Sequence, residues 1–243
     1  MSYLLYCVFR SGQPPEFEMH SGIRGEPVQV IDHGGLCAAV SELQNPDSPP
    51  DVATVLAYEN VVESFFNQRT IIPMRFGCSF HGRLELAALL DERHKEYDLL
   101  LARLDGLVEM GIQVTPEGHG PGLDLDSTGE ASADSPAWGQ SGASYLLAKK
   151  QYYGSADRMT ERRDGLVKTL CDPLSSMFVR HKVETSPGGA HLASLYFLVP
   201  RSSVADFREA IPCRLNGGLV TLAVTGPWPP YNFVDLSNLR EAV

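Results

Sequence analysis

The sequence predicts an α+β protein of two domains: an N-terminal α+β domain and a C-terminal, modified ferredoxin-like domain with a helical insertion. Three observations predict it. The 243 residues are enough for two domains of ordinary size. A hydrophobic content of 43% supplies each with a core. The apolar period switches repeatedly between 2 and about 3.6 along the chain.

Tyr3-Leu-Leu-Tyr-Cys-Val-Phe9 is an aromatic and aliphatic run that reads as a buried strand. Val28–Ile31 and Leu36–Val40 flank His33-Gly-Gly35, the pattern of a hairpin. Pro49-Pro50 closes a loop and offers Asp51 as a helix N-cap. From Val52 to Arg69 the period becomes helical, with Val52, Val55, Tyr58, Val62, Phe65 and Phe66 on one stripe and Glu59 intruding on it. Thr70–Gly77 is extended because proline disfavours helix in its predecessor, and it reads as a bridge into the second domain.

A long helix is expected over Arg83–Leu104, interrupted on its apolar face by Arg93. Next comes an alternating strand. Val108, Met110, Ile112 and Val114 point one way, Glu109 and Gln113 the other. Residues 115–138 read as a mobile acidic loop with five carboxylates and no Lys or Arg. Helical patterning then runs from Ser144 to about Lys182, divided at Gly154 and at Asp172-Pro173. A strand (Leu192–Pro200), a helix (Ser203–Leu215) and a strand (Leu219–Thr225) complete the series.

With a strand counted around Met74–Phe80, the second half reads β-α-β, helices, β-α-β, two split units of a ferredoxin-like sheet. The expected boundaries are residues 1–73 for the first domain and 74–228 for the second, with its helical extension at about 139–182. A tail, 229–243, is expected to pack across both.

The formal net charge of −10 predicts no general affinity for nucleic acid or an anionic membrane. Residues 158–168 are the densest basic stretch. Five cysteines, none in a Cys-x-x-Cys pair, suit a reducing cytoplasm better than a disulfide framework. The N-terminus does not read as a signal peptide, and no stretch approaches the ~20 apolar residues of a membrane span.

Catalytic patterns are weak. Gly139-Gln-Ser-Gly-Ala143 lacks the last glycine of a nucleophile elbow and follows a loop, not a strand, so Ser141 reads as part of a helix start. The seven histidines show no metal-ligand spacing, and Gly118-His-Gly-Pro-Gly122 lacks the strand-to-helix setting of a phosphate loop. No catalytic, cofactor-binding or metal-binding residue is assigned.

Two segments exceed this background. Pro73-Met-Arg-Phe-Gly77 sets a cation, Arg75, inside an apolar extended run. Gly226-Pro-Trp-Pro-Pro-Tyr-Asn-Phe233 joins three prolines to three large rings. Trp228, Pro229, Pro230, Tyr231 and Phe233 are therefore candidates for a clasp between the domains or for an exposed partner-docking strip, and Arg75 shares that candidacy. Glu59, on the apolar stripe of the preceding helix, is the candidate partner for Arg75, and a buried Glu59–Arg75 pair is expected.

At these residues the chain resembles the gas vesicle GvpF/GvpL family. The resemblance spans nearly the whole sequence in ordered blocks: Tyr3-Leu-Leu-Tyr6, Leu36-Cys-Ala-Ala-Val40, Glu59-Asn-Val-Val-Glu63, Ile72-Pro-Met-Arg-Phe-Gly77, Leu107–Val114, Gly142–Lys150, Leu195–Val199 and Thr225–Val234. It implies a non-catalytic, cofactor-free accessory or minor structural protein of the gas vesicle. Its implied partners are the small hydrophobic shell protein and other accessory proteins, and its implied place is the gas vesicle and cytoplasm. The family often carries histidine where Tyr58 stands, so Tyr58 points to a packing role. Two other readings are a small-molecule-binding or hydrolytic ferredoxin-like enzyme and a self-associating scaffold. The first expects a deep polar pocket, the second symmetric self-association.

Overall fold

The computed structural model describes residues 2–12, 21–43, 50–116, 164–184, 192–212 and 220–234. The acidic loop beyond residue 116, the helix start at Ser144, Ser141 and the tail beyond residue 234 lie outside the described residues.

Strand β1 (Ser2–Arg10) lies at the centre of the first sheet, antiparallel to β3 (Leu36–Leu43), which pairs in turn with β2 (Val28–His33). Gly34 and Gly35 close the β2–β3 hairpin with φ of 61° and 90°, the left-handed pair that a tight two-residue turn requires. Helix α1 (Val52–Gln68) begins where Asp51 accepts the Thr54 N–H at 2.8 Å. Two short strands, β4 (Ile72–Pro73) and β5 (Ser79–Phe80), both pair with β1. The segment around Met74–Phe80 thus completes the first sheet and does not open the second, a correction to the sequence reading.

The first sheet is covered on both faces, which explains why β1 and β3 are apolar without alternation. Leu4, Tyr6, Phe9, Cys37 and Ala39 pack with Tyr58, Val61, Val62, Phe65 and Phe66 of α1. Leu5, Val8, Ala38 and Val40 pack with Leu86 and Leu90 of α2 (Arg83–Glu92) and with Tyr97, Leu100, Leu101 and Leu104 of α3 (His94–Leu104). The expected single helix over 83–104 is two, broken at Arg93, whose φ and ψ are −103° and 10°. At that break the hairpin tip docks: His33 Nε2 lies 2.8 Å from Asp91 Oδ1, and His94 Nε2 lies 2.7 Å from the Gly34 carbonyl. The stripe read for α1 is also rotated at its start, for Val52 and Val55 are exposed while Thr54 and Val61 are buried.

The second sheet runs β7-β8-β6-β9, antiparallel throughout, from β6 (Leu107–Pro116), β7 (Arg180–Glu184), β8 (Ala193–Pro200) and β9 (Val220–Trp228). Helix α4 (residues 164–174) precedes β7, and α5 (Val204–Ala210) joins β8 to β9. Strand, helix, strand, strand, helix, strand is the ferredoxin-like order, and it begins at β6. The expected helix through Lys182 is overturned: residues 180–184 are the strand β7. Arg180-His-Lys-Val-Glu184 shows no apolar alternation because it is an edge strand with most of its side chains exposed. Helix α5 stops at Ala210, short of Leu215, because Ile211 precedes Pro212 and is extended.

One face of this sheet buries Val108, Met110, Ile112, Val114, Leu195, Phe197 and Val199 against Leu166, Leu170 and Leu174 of α4 and Phe207 of α5. These residues belong to the same continuous core as α1 and the first sheet. Arg201 adds a polar tie between the sheets, donating from Nη2 to the Phe66 carbonyl at 3.1 Å with its guanidinium 4.4 Å from the Phe66 ring centre.

Candidate functional site: a C-terminal clasp at the sheet junction

Residues after β9 leave the edge of the second sheet and cross to the first. Pro229 and Pro230 are buried, and Tyr231–Phe233 form a single 3-10 turn. Prolines fix φ and so lower the entropy lost when this segment is held extended. Phe233, 2% exposed, enters the core cluster beneath α2 and α3, together with Leu198 of β8. Tyr231 packs against the other cluster, the one that α1 helps to form. The segment therefore joins both cores. Trp228 differs from its neighbours in being 48% exposed.

The polar groups of the clasp pair with one another. Glu109 on β6 is 4% exposed, and the sequence places it on the solvent side of its strand. Instead the clasp covers it. The Asn232 backbone N–H donates to Glu109 Oε2 at 2.8 Å, and Asn232 Nδ2 donates to Oε1 at 2.7 Å. Burial pushes the Glu109 carboxyl above the ordinary glutamate range, with the two Asn232 donors opposing the shift. Sequence reasoning missed both residues. The available signal was a carboxylate inside a strand flanked by apolar residues, which is ambiguous until the covering segment is known.

The Tyr231 hydroxyl lies 3.3 and 3.5 Å from the two carboxylate oxygens of Glu59 and donates to them. Glu59 is thus on the exposed side of α1, facing the clasp, and no ion pair joins it to Arg75. The expected Glu59–Arg75 pair is corrected on this geometry: Arg75 is exposed. The reason lies in the Pro73–Gly77 turn. Met74 donates its N–H to the Tyr6 carbonyl at 2.9 Å, after which the chain swings outward through Gly77, whose φ is 93°. Arg75 lines a groove of about 350 Å³ with Pro73, Tyr97, Lys182, Glu184 and Tyr231.

Tyr58 explains the local order beneath this turn. Its side chain is fully buried, and its hydroxyl donates to the Met74 carbonyl at 2.8 Å with the Leu5 carbonyl within reach at 3.1 Å. The Leu5 carbonyl sits where the β1–β3 register shifts between Leu5 and Cys7. A bulge frees main-chain acceptors, and the phenol meets that need. Phe76 stands edge-on to the Tyr58 ring with centroids 5.2 Å apart.

Fold and clasp together define a protein of two α+β sheets stapled by its own C-terminal aromatic segment. Over residues 2–235 the sequence matches the model of the family described as gas vesicle synthesis protein GvpL/GvpF, and the chain belongs to that family. It is 30% identical over 243 residues to gas vesicle protein F of Streptomyces sp. strain CB03234, a match covering 97% of this chain and all of that protein. It is 27% identical to gas vesicle protein L of the same organism, over 89% of this chain and 86% of the other. The crystal structure of the gas vesicle protein GvpF from Anabaena sp. PCC7120 shares the fold, with a TM-score of 0.74, 17% identity and 96% of each chain covered. No described helix is long and apolar enough to cross a membrane.

Proposed function

We propose that this protein is a non-catalytic accessory or minor structural component of the gas vesicle that binds the shell protein during assembly, alongside other accessory proteins. Family membership supplies the gas vesicle context. The observation that carries the reading is the division of labour within the clasp: Pro229, Pro230 and Phe233 are buried, while Trp228 stands half exposed beside them. A large ring held on a proline-stiffened segment presents apolar area to a partner at little entropic cost. The net charge of −10 keeps a complex with an apolar partner dispersed. The buried and bridging polar groups of the clasp, Glu109, Asn232, Tyr231 and Glu59, have their hydrogen bonds within it, which suits a structural role for them.

Co-expression of the intact chain with the gas vesicle shell protein, followed by affinity purification, tests this reading. The shell protein is expected to co-purify with the parent chain and to be lost or strongly reduced with a folded Trp228→Ala variant. Absence of shell protein from the purified parent chain overturns the proposal.

A further inference from the structure

We propose that the outer edge of β9 is a strand-addition site for an extended, uncharged segment of the partner protein, an inference that rests on the partner-binding reading above. The sheets treat their edges differently. In the first, β4 and β5 are only two residues each, and the β2 edge carries Asp32 and His33. In the second, β7 places Arg180, His181, Lys182 and Glu184 within five residues. Short strands and charged side chains are the usual devices that keep an edge from pairing with a foreign chain. The opposite edge, β9, has neither over most of its length. Its nine residues, Val-Thr-Leu-Ala-Val-Thr-Gly-Pro-Trp, contain no ionisable side chain.

Among the described residues β9 pairs with β6 alone. Thr221, Ala223, Val224 and Thr225 are all exposed. At the far end Arg208 Nη2 donates to the Gly226 carbonyl and Pro227 follows, so the open stretch ends at Thr225. About five residues of an extended partner fit such a stretch. An edge accepts its occupant through main-chain N–H and C=O groups, so the partner segment must be extended. Cross-strand neighbours that are uncharged and small or β-branched match Thr221, Ala223 and Thr225. Exposed Trp228 lies at the end of the same strand and supplies an apolar anchor. A second copy of this chain is the less favourable occupant, because each copy carries −10.

Hydrogen–deuterium exchange on the co-purified complex with the shell protein, compared with the free chain, tests the proposal. Amides of residues 221–225 are expected to exchange at least about tenfold more slowly in the complex, while those of the charged edge β7 are unchanged. Ala223→Lys is expected to weaken co-purification by about tenfold or more, whereas Ala223→Thr, which leaves the edge neutral, retains it. A complex that forms with β9 exchange unaltered overturns the strand-addition site and leaves the partner-binding reading intact. Protection of β9 that appears with rising concentration of the chain alone assigns the edge to a second copy and also overturns it. Failure of any complex to form removes both.

Discussion

Glu109 shows how one residue's environment turns a surface feature into a structural one. Its carboxylate is nearly inaccessible, and the Asn232 N–H and side-chain amide both donate to it. Burial raises its pKa, so the native state holds this proton more tightly than the unfolded chain does. Its contribution to stability is therefore fully present below the ordinary glutamate pKa and is lost as pH rises through the raised value. Stability measured by denaturant unfolding should decline across that window, and the slope should flatten in Glu109→Gln. Above the window, Asn232→Ala should cost about 1.5–3 kcal/mol, the range for hydrogen bonds to a charged group. Equal pH slopes for parent and Glu109→Gln would show that another group governs the dependence. Tyr58 is the residue-scale counterpart without a charge. Its phenol donates to the Met74 carbonyl with the Leu5 carbonyl within reach, and its place on the buried stripe of α1 was legible in the helical period.

At the scale of elements, the clasp separates anchoring from presentation. Phe233 and Trp228 are five positions apart, but one is 2% exposed and the other 48%. Phe233→Ala removes a ring from a packed core and should cost about 3–5 kcal/mol. Trp228→Ala should stay within about 0.5 kcal/mol of the parent, as expected for a surface substitution. Urea unfolding of the two variants checks this, and equal losses would mean that Trp228 is a second anchor. The element-level errors of the sequence reading share a cause. Strand β7 carries no apolar period because an edge strand buries little, and β5 is too short to show any. Arg93 interrupted the stripe, but the apolar period continued across it, so the break between α2 and α3 was read as one helix.

For the whole molecule, the question is whether two sheets make two independent folding units. A single buried cluster runs from the first sheet and α1 into β6, β8, α4 and α5, and a second reaches from α2 and α3 to Leu198 and Phe233. Arg201 on Phe66 and the Tyr231–Glu59 contact add polar ties across the junction. Cores that share side chains lose their contacts together. Thermal unfolding followed by tryptophan fluorescence and by far-ultraviolet circular dichroism should therefore give coincident transitions. Two separated midpoints would show that each sheet retains its structure without the other.

Taken by itself, the sequence determined those features whose cause is local. Apolar runs marked β1 and β3, Asp51 marked the start of α1, paired glycines marked the hairpin, and an alternating stripe marked the buried face of β6. Ordered blocks such as Pro73–Gly77 and Gly226–Phe233 also carried the family, since residue identity needs no coordinates to be compared. Only the tertiary structure decided which sheet β5 joins, that β7 is a strand, that Glu109 is covered by Asn232 and that Arg75 faces a groove apart from Glu59. Each of these depends on partners far away in sequence. A residue's burial and its hydrogen bonds are properties of the surface that closes over it, and that surface exists only when the chain has folded.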